Sequence, residues 1–89
     1  LQVEYRQLFL KDLKKLKKQP IYKRIFELAF ETIPLADNLE VLSNIKAMKG
    51  YSNRYRIRIG DYRIGIEVQG HQVEMMRVLH RREFYRYFP

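Results

Sequence analysis

A chain of 89 residues, with 46% apolar and 31% charged side chains, has room for one domain with one modest core, and its composition is globular rather than disordered. Its formal net charge of +8 favours an acidic partner: nucleic acid, an acidic protein or an anionic membrane. The absence of cysteine excludes disulfides, a thiol nucleophile and a Cys-ligated metal, and no apolar run reaches transmembrane length or reads as a signal peptide, so a cytoplasmic protein without a membrane partner is expected.

Leu1, Val3 and Tyr5 alternate with Gln2 and Glu4, which predicts a short strand over residues 1–5. Residues 6–18 follow a helical period instead. Phe9, Leu13 and Leu16 form one stripe with Leu10 beside it, and Lys11, Asp12, Lys14, Lys15, Lys17 and Lys18 cover the solvated side. Gln19-Pro20 breaks this helix, and Pro20 suits the first turn of the next. Tyr22, Ile25, Phe26, Ala29, Phe30 and Ile33 then keep the three-and-four spacing, predicting a helix that ends at Pro34. The two helices form a hairpin to be laid on a sheet. Residues 35–50 read as a loop, with Asp37 and Glu40 in capping-box spacing. Leu39, Val41, Leu42, Ile45 and Met48 make an apolar strip there, for the core or for a docked partner.

Residues 53–68 carry the clearest signal. Tyr55, Ile57 and Ile59 alternate with Arg54, Arg56 and Arg58; Gly60-Asp61 makes a two-residue turn; Tyr62, Ile64, Ile66 and Val68 return as a second alternating set. The turn sets the register, opposing Ile59 to Tyr62, Arg58 to Arg63, Ile57 to Ile64, Arg56 to Gly65, Tyr55 to Ile66 and Arg54 to Glu67. One face is apolar; the other carries four arginines and one glutamate. Arg54 has Glu67 for a partner, but Arg58 faces Arg63, a destabilising arrangement. At ~5 Å and an effective dielectric of ~20 the repulsion is about 3 kcal/mol before the tips splay. Gly65 leaves a space beside Arg56, so the face reads either as the solvated polar side of an amphipathic sheet or as a site for an anion. All eight lysines lie at or before Lys49, and the eight basic residues beyond it are all arginine, the planar fork that matches phosphate.

Gln69-Gly70-His71 is a second turn, and Val73 to Leu79 a further strand whose Met75-Met76 pair suggests cover on both faces. Residues 80–89 end the chain in a short helical turn, with Arg81 and Tyr85 four apart. The expected fold class is α+β: a two-helix hairpin on a small, mostly antiparallel sheet, in the order β-α-α-β-β-β with a short C-terminal helical turn.

This order, and four motifs, resemble the RelE/ParE superfamily of toxins from toxin–antitoxin pairs, on the RelE side. The motifs are Leu10-Lys11-Asp12-Leu13-Lys14-Lys15-Leu16, Met48-Lys49-Gly50, Tyr55-Arg56-Ile57-Arg58-Ile59-Gly60-Asp61-Tyr62-Arg63 and His80-Arg81-Arg82-Glu83-Phe84-Tyr85. The resemblance implies a ribosome-dependent endoribonuclease that needs no metal or other cofactor and inhibits translation. It would act on messenger RNA in the ribosomal decoding site, the 2′-OH attacking the adjacent phosphate. It also implies a cognate RelB-like antitoxin with an acidic or amphipathic segment.

By motif position, Arg56 and Arg58 fall on the family's basic residues along the strand, Arg63 on the arginine after the turn tyrosine, and Arg81 on the terminal arginine. His80 falls on a position that is His in many relatives. The family's terminal tyrosine matches Tyr85 by motif and Tyr87 by strict spacing. The catalytic candidates are Arg58, Arg63, Arg81, Tyr85, Tyr87 and His80; Arg54, Arg56, Lys49 and Arg82 are candidates for holding RNA. Two other readings stand beside this one: a ParE-like inhibitor of DNA gyrase, and an RNA-binding module whose arginines only grip phosphate.

Overall fold

The computed structural model describes residues 1–89 and centres on one five-stranded sheet. Its strands are β1 (Gln2–Tyr5), β2 (Ile45–Ala47), β3 (Arg54–Ile59), β4 (Tyr62–Gln69) and β5 (Gln72–His80), ordered β1-β5-β4-β3-β2. Only the β1–β5 pairing is parallel. The β3–β4 register agrees with the expected one at all six pairs, Arg58 opposite Arg63 included. Strict alternation about a tight turn leaves no other register that keeps one face apolar.

The expected order lacked one strand. Ile45–Ala47 pairs with β3 as the outermost strand, setting Ile45 opposite Ile57, Lys46 opposite Arg56 and Ala47 opposite Tyr55. Three residues are too few to display a period. Nor is the cap upstream of it Asp37: the side chain of Asn38 accepts the Glu40 N–H at 2.8 Å and opens a 3-10 turn over Leu39–Val41. Leu39, Leu42 and Ile45 pack on the core and Met48 on the smaller outer cluster, which settles most of the apolar strip as packing; Val41 remains exposed.

Helix α1 (Gln7–Lys15) and helix α2 (residues 22–35) lie on one face of the sheet. Phe9, Leu13, Ile25, Ala29 and Ile33 meet Ile57, Ile59, Ile64, Ile66, Val73, Met75 and Val78 in a single core. Helix α2 runs as an α-helix over Tyr22–Glu27, widens to a π turn over Leu28–Thr32, and continues through Pro34 in Ile33–Leu35. It was expected to stop at Pro34. Proline has no N–H and its ring collides with the carbonyl four residues back, so the turn before it is the one that widens. Ile33 N–H then bonds the Leu28 carbonyl. This frees the Ala29 carbonyl, whose next donor would be the missing N–H of Pro34. The Tyr5 hydroxyl donates to it instead at 2.7 Å.

Asp12 is another departure. It sits in the lysine-rich side of α1 by sequence but is 5% exposed. Strand β1, the parallel partner of β5, ends at Tyr5 opposite Met75, leaving the outer edge of β5 bare beyond that point. Asp12 Oδ2 accepts the Val78 N–H at 3.2 Å and Arg77 Nε at 2.8 Å, and Oδ1 accepts Arg77 Nη2 at 3.1 Å. The carboxylate serves as the missing strand's acceptor, and the hydrogen-bonded Asp12 holds the Arg77 guanidinium above its ordinary pKa.

The last helix (Arg81–Tyr87) crosses the other face of the sheet. Phe84 and Phe88 pack there with Met76 and Leu79 in a second small cluster. Met76 is the extra residue of a bulge opposite Gly65/Ile66, which explains the broken alternation of Met75-Met76.

Candidate nucleic-acid interface and active site

The face of the sheet away from α1 and α2 has two halves. The terminal helix covers the part over β4 and β5. Gly65 is what admits it: a Cβ there would stand 2.6–2.7 Å from the ring of Phe88. The space expected beside Arg56 is therefore filled by a phenyl ring and is not an anion pocket. The uncovered half lies over β2 and β3, and there the cations collect.

Arg58 on β3 stands directly opposite Arg63, which is half-buried on β4 where the two halves meet. The ion pairs of the chain are Arg6–Glu74, Arg54–Glu67, Arg77–Asp12 and Arg81–Asp61, so neither Arg58 nor Arg63 meets a carboxylate. Arg58 is exposed. Arg63 bends back toward the turn, its Nη1 donating to the carbonyls of Gly60 at 3.0 Å and Tyr62 at 2.9 Å. Two carbonyl dipoles thus relieve part of the repulsion and hold the guanidinium in place. Its Nη2 and Nε donors make no bond within the chain. Arg56 shares the face one step along the strand, and Lys46, exposed on β2, stands opposite it. Lys46 was not among the expected site residues, because nothing in the sequence marked its strand.

Arg81 borders this patch. Its N–H donates to the Asp61 carbonyl at 2.8 Å, and its Nε lies 3.8 Å from the exposed Asp61 carboxylate. Tyr85, one helical turn later, shares that flank of the terminal helix, edge-on to Phe84 and 59% exposed. Tyr87 takes the opposite flank, its ring 5.6 Å from the Arg77 guanidinium. The two tyrosines that sequence could not separate therefore stand on different sides.

His80 does not join the arginines. It pairs across the sheet with Tyr62, whose ring packs on the main core, whereas Arg63 pairs with Leu79 on the outer cluster. Its Nδ1 accepts the Arg82 N–H at 3.2 Å and caps the terminal helix, which assigns the neutral imidazole's proton to Nε2. It lines a cleft of about 470 Å³ between α1 and the terminal helix, with Tyr62, Arg77 and Tyr87. Arg54 is occupied: Glu67 lies 3.7 Å away, and the rings of Tyr51 and Phe88 flank the guanidinium at 5.5 and 5.9 Å. Lys49 sits beyond β2, at the end of the face away from the Gly60-Asp61 turn, and Arg82 is exposed at the start of the terminal helix. No group of three or more His, Asp or Glu side chains is placed to hold a metal ion, and no helix is long and apolar enough to cross a membrane.

A small sheet with a helix hairpin on one face, and a cationic patch beside a terminal helix on the other, is the form of a known class of toxin. Residues 3–85 match the family described as ParE toxin of type II toxin-antitoxin system, parDE, and the chain belongs to this RelE/ParE superfamily. Within it the chain lies on the RelE side. Toxin RelE3 of Methanocaldococcus jannaschii is 47% identical over 90 residues, covering 100% of each chain. A chain of the crystal structure of the RelB-RelE antitoxin-toxin complex from Methanococcus jannaschii is 45% identical, with a TM-score of 0.80 over 97% of this chain and 99% of that one. The archaeal RelE-RelB complex from Pyrococcus horikoshii OT3, at 24% identity and a TM-score of 0.62, shares the fold over 90% of this chain and 93% of its own.

Proposed function

We propose that this toxin is an endoribonuclease that cuts messenger RNA in the ribosomal decoding site. The observation that carries the reading is the Arg58–Arg63 pair, opposed on an open sheet face with no carboxylate for either. Such a pair costs stability when empty and is relieved by an anion. The relief grows as charge builds on the phosphate oxygens, which is the differential binding that lowers a barrier.

In the reaction the 2′-oxygen bonds to phosphorus, the bond to the 5′-oxygen breaks, and the products are a 2′,3′-cyclic phosphate and a 5′-hydroxyl. Arg58 and Arg63 hold the non-bridging oxygens, and Arg81 reaches in from the flank. A base takes the 2′-OH proton and an acid supplies one to the leaving 5′-oxygen. Tyr85 is favoured for one of these roles because it shares the Arg81 flank, whereas Tyr87 lies over Arg77 and His80 on the other face. Arg56 supports the RNA strand beside the scissile phosphate, with Lys49 and Arg82 at greater distance. The partner proposed for restraint of the toxin is a RelB-like antitoxin, as in the relatives' complexes.

The test is to incubate the purified chain with message-programmed ribosomes and map RNA ends. New termini bearing 2′,3′-cyclic phosphate are expected. Gyrase-dependent DNA breaks without new RNA ends would replace this reading by the ParE-like one, and salt-sensitive RNA binding without new ends would reduce it to a binding module.

A further inference from the structure

Arg58 and Arg63 are not the only like charges facing each other across the outer face of the sheet. Lys46 and Arg56 are cross-strand partners one step along β3, and they too meet no carboxylate. Ile45, next to Lys46, packs on the core, so Lys46 must project from the outer face with Arg56. On its other side Arg56 is bounded by Phe88, which fills the place a side chain at Gly65 would take. In register, Arg56 therefore stands between Lys46 on β2 and Gly65 on β4, the latter position being covered by the Phe88 ring.

Two like-charged pairs in succession are hard to account for as a solvated surface, since each opposes sheet formation. They are separated by two residues of strand, about 7 Å. Extended single-stranded RNA presents its charges one per nucleotide at comparable intervals. The next row along the face has the opposite character: Arg54 is neutralised by Glu67, and Glu67 is followed across the sheet by Glu74 and then Glu4. The cationic track therefore has two steps and then stops at an acidic boundary.

We propose that the open face seats two adjacent phosphates of one RNA strand, the scissile one between Arg58 and Arg63 and its neighbour between Lys46 and Arg56. Lys46 is then an RNA-binding residue. It touches the strand beside the reacting bond and takes no part in proton transfer. The inference rests on the RNA reading above and adds a second subsite to it.

The deciding experiment compares Lys46→Ala with Lys14→Ala, an exposed lysine on α1, using programmed ribosomes and, separately, a short single-stranded RNA. Lys46→Ala should raise KM about threefold to tenfold, with kcat within about twofold, and should flatten the salt dependence of RNA binding by about 0.7 in log–log slope. Removing one member of a repelling pair should also raise Tm by about 1–3 °C, a gain that loss of a structural contact would not give. Lys14→Ala should change none of these. An unchanged KM and salt slope in Lys46→Ala, or equal changes in both variants, would overturn the proposal. If the wild-type chain cuts no message yet Lys46→Ala still weakens single-stranded RNA binding with a flatter slope, the nuclease reading fails and the second phosphate seat stands.

Discussion

Asp12 is the residue whose importance is most out of proportion to its appearance in the sequence. It lies in a run of lysines and would pass for one more surface charge. Its place at the bare edge of β5 gives it three hydrogen bonds, two from Arg77 and one from the Val78 N–H. Asp12→Ala would leave a partly exposed guanidinium and an edge N–H without their acceptor, so we expect a loss of about 1–3 kcal/mol in a urea unfolding experiment. A loss below about 1 kcal/mol would mean that water replaces the carboxylate freely. Tyr5 makes a second prediction at this scale. Burial raises its hydroxyl from the ordinary 10.0, so the folded state holds its proton more tightly than the unfolded chain. This contribution to stability is complete below about pH 10 and is lost as pH rises through the higher folded value. Tyr5→Phe should cost about 1 kcal/mol at neutral pH, through the lost bond to Ala29, and should show a flatter fall in stability above pH 10. An unchanged alkaline slope in Tyr5→Phe would contradict this.

Among the elements, the β3–β4 hairpin was fully legible because its information is local: period two, a two-residue turn and one apolar face leave a single register. The terminal helix was legible as a helical turn, but its seat was not. That seat depends on Phe88 meeting Gly65, two residues far apart in sequence whose fit is one of shape. Strand β2 escaped notice because Ile45-Lys46-Ala47 becomes a strand only by pairing with β3. Helix α2 outran its proline because a π turn absorbs the clash, an adjustment no periodicity announces. Of the candidate site, the arginines of the hairpin were assigned to the correct face. The division of Tyr85 from Tyr87 awaited the direction of the terminal helix, and that of His80 from the arginines awaited its pairing with Tyr62. That helix yields the element-scale prediction. Gly65→Ala should expel the Phe88 ring and destabilise the fold by about 1–3 kcal/mol. In a Phe88→Ala background the same change should cost almost nothing, and the double-mutant cycle should show strong coupling. Additive effects would mean that Phe88 does not seat the helix through Gly65.

At the scale of the whole molecule, charge is sorted by face and by half. Lysines of α1 lie on the helix side, carboxylates Glu4, Glu67 and Glu74 share one end of the outer face, and Lys46, Arg56, Arg58 and Arg63 share the other. The apolar terminal cluster covers the sheet at Gly65, Met76 and Leu79 and leaves the outer face of β2 and β3 open. A domain of this size has little stability to spare, so two repelling pairs kept on one small surface need a compensating role. We propose that binding RNA phosphate is that role. It is tested most directly by single Arg58→Ala and Arg63→Ala variants in message cleavage on programmed ribosomes. Each should lose about 10²- to 10³-fold in rate while remaining folded, and undiminished cleavage by both would contradict the account.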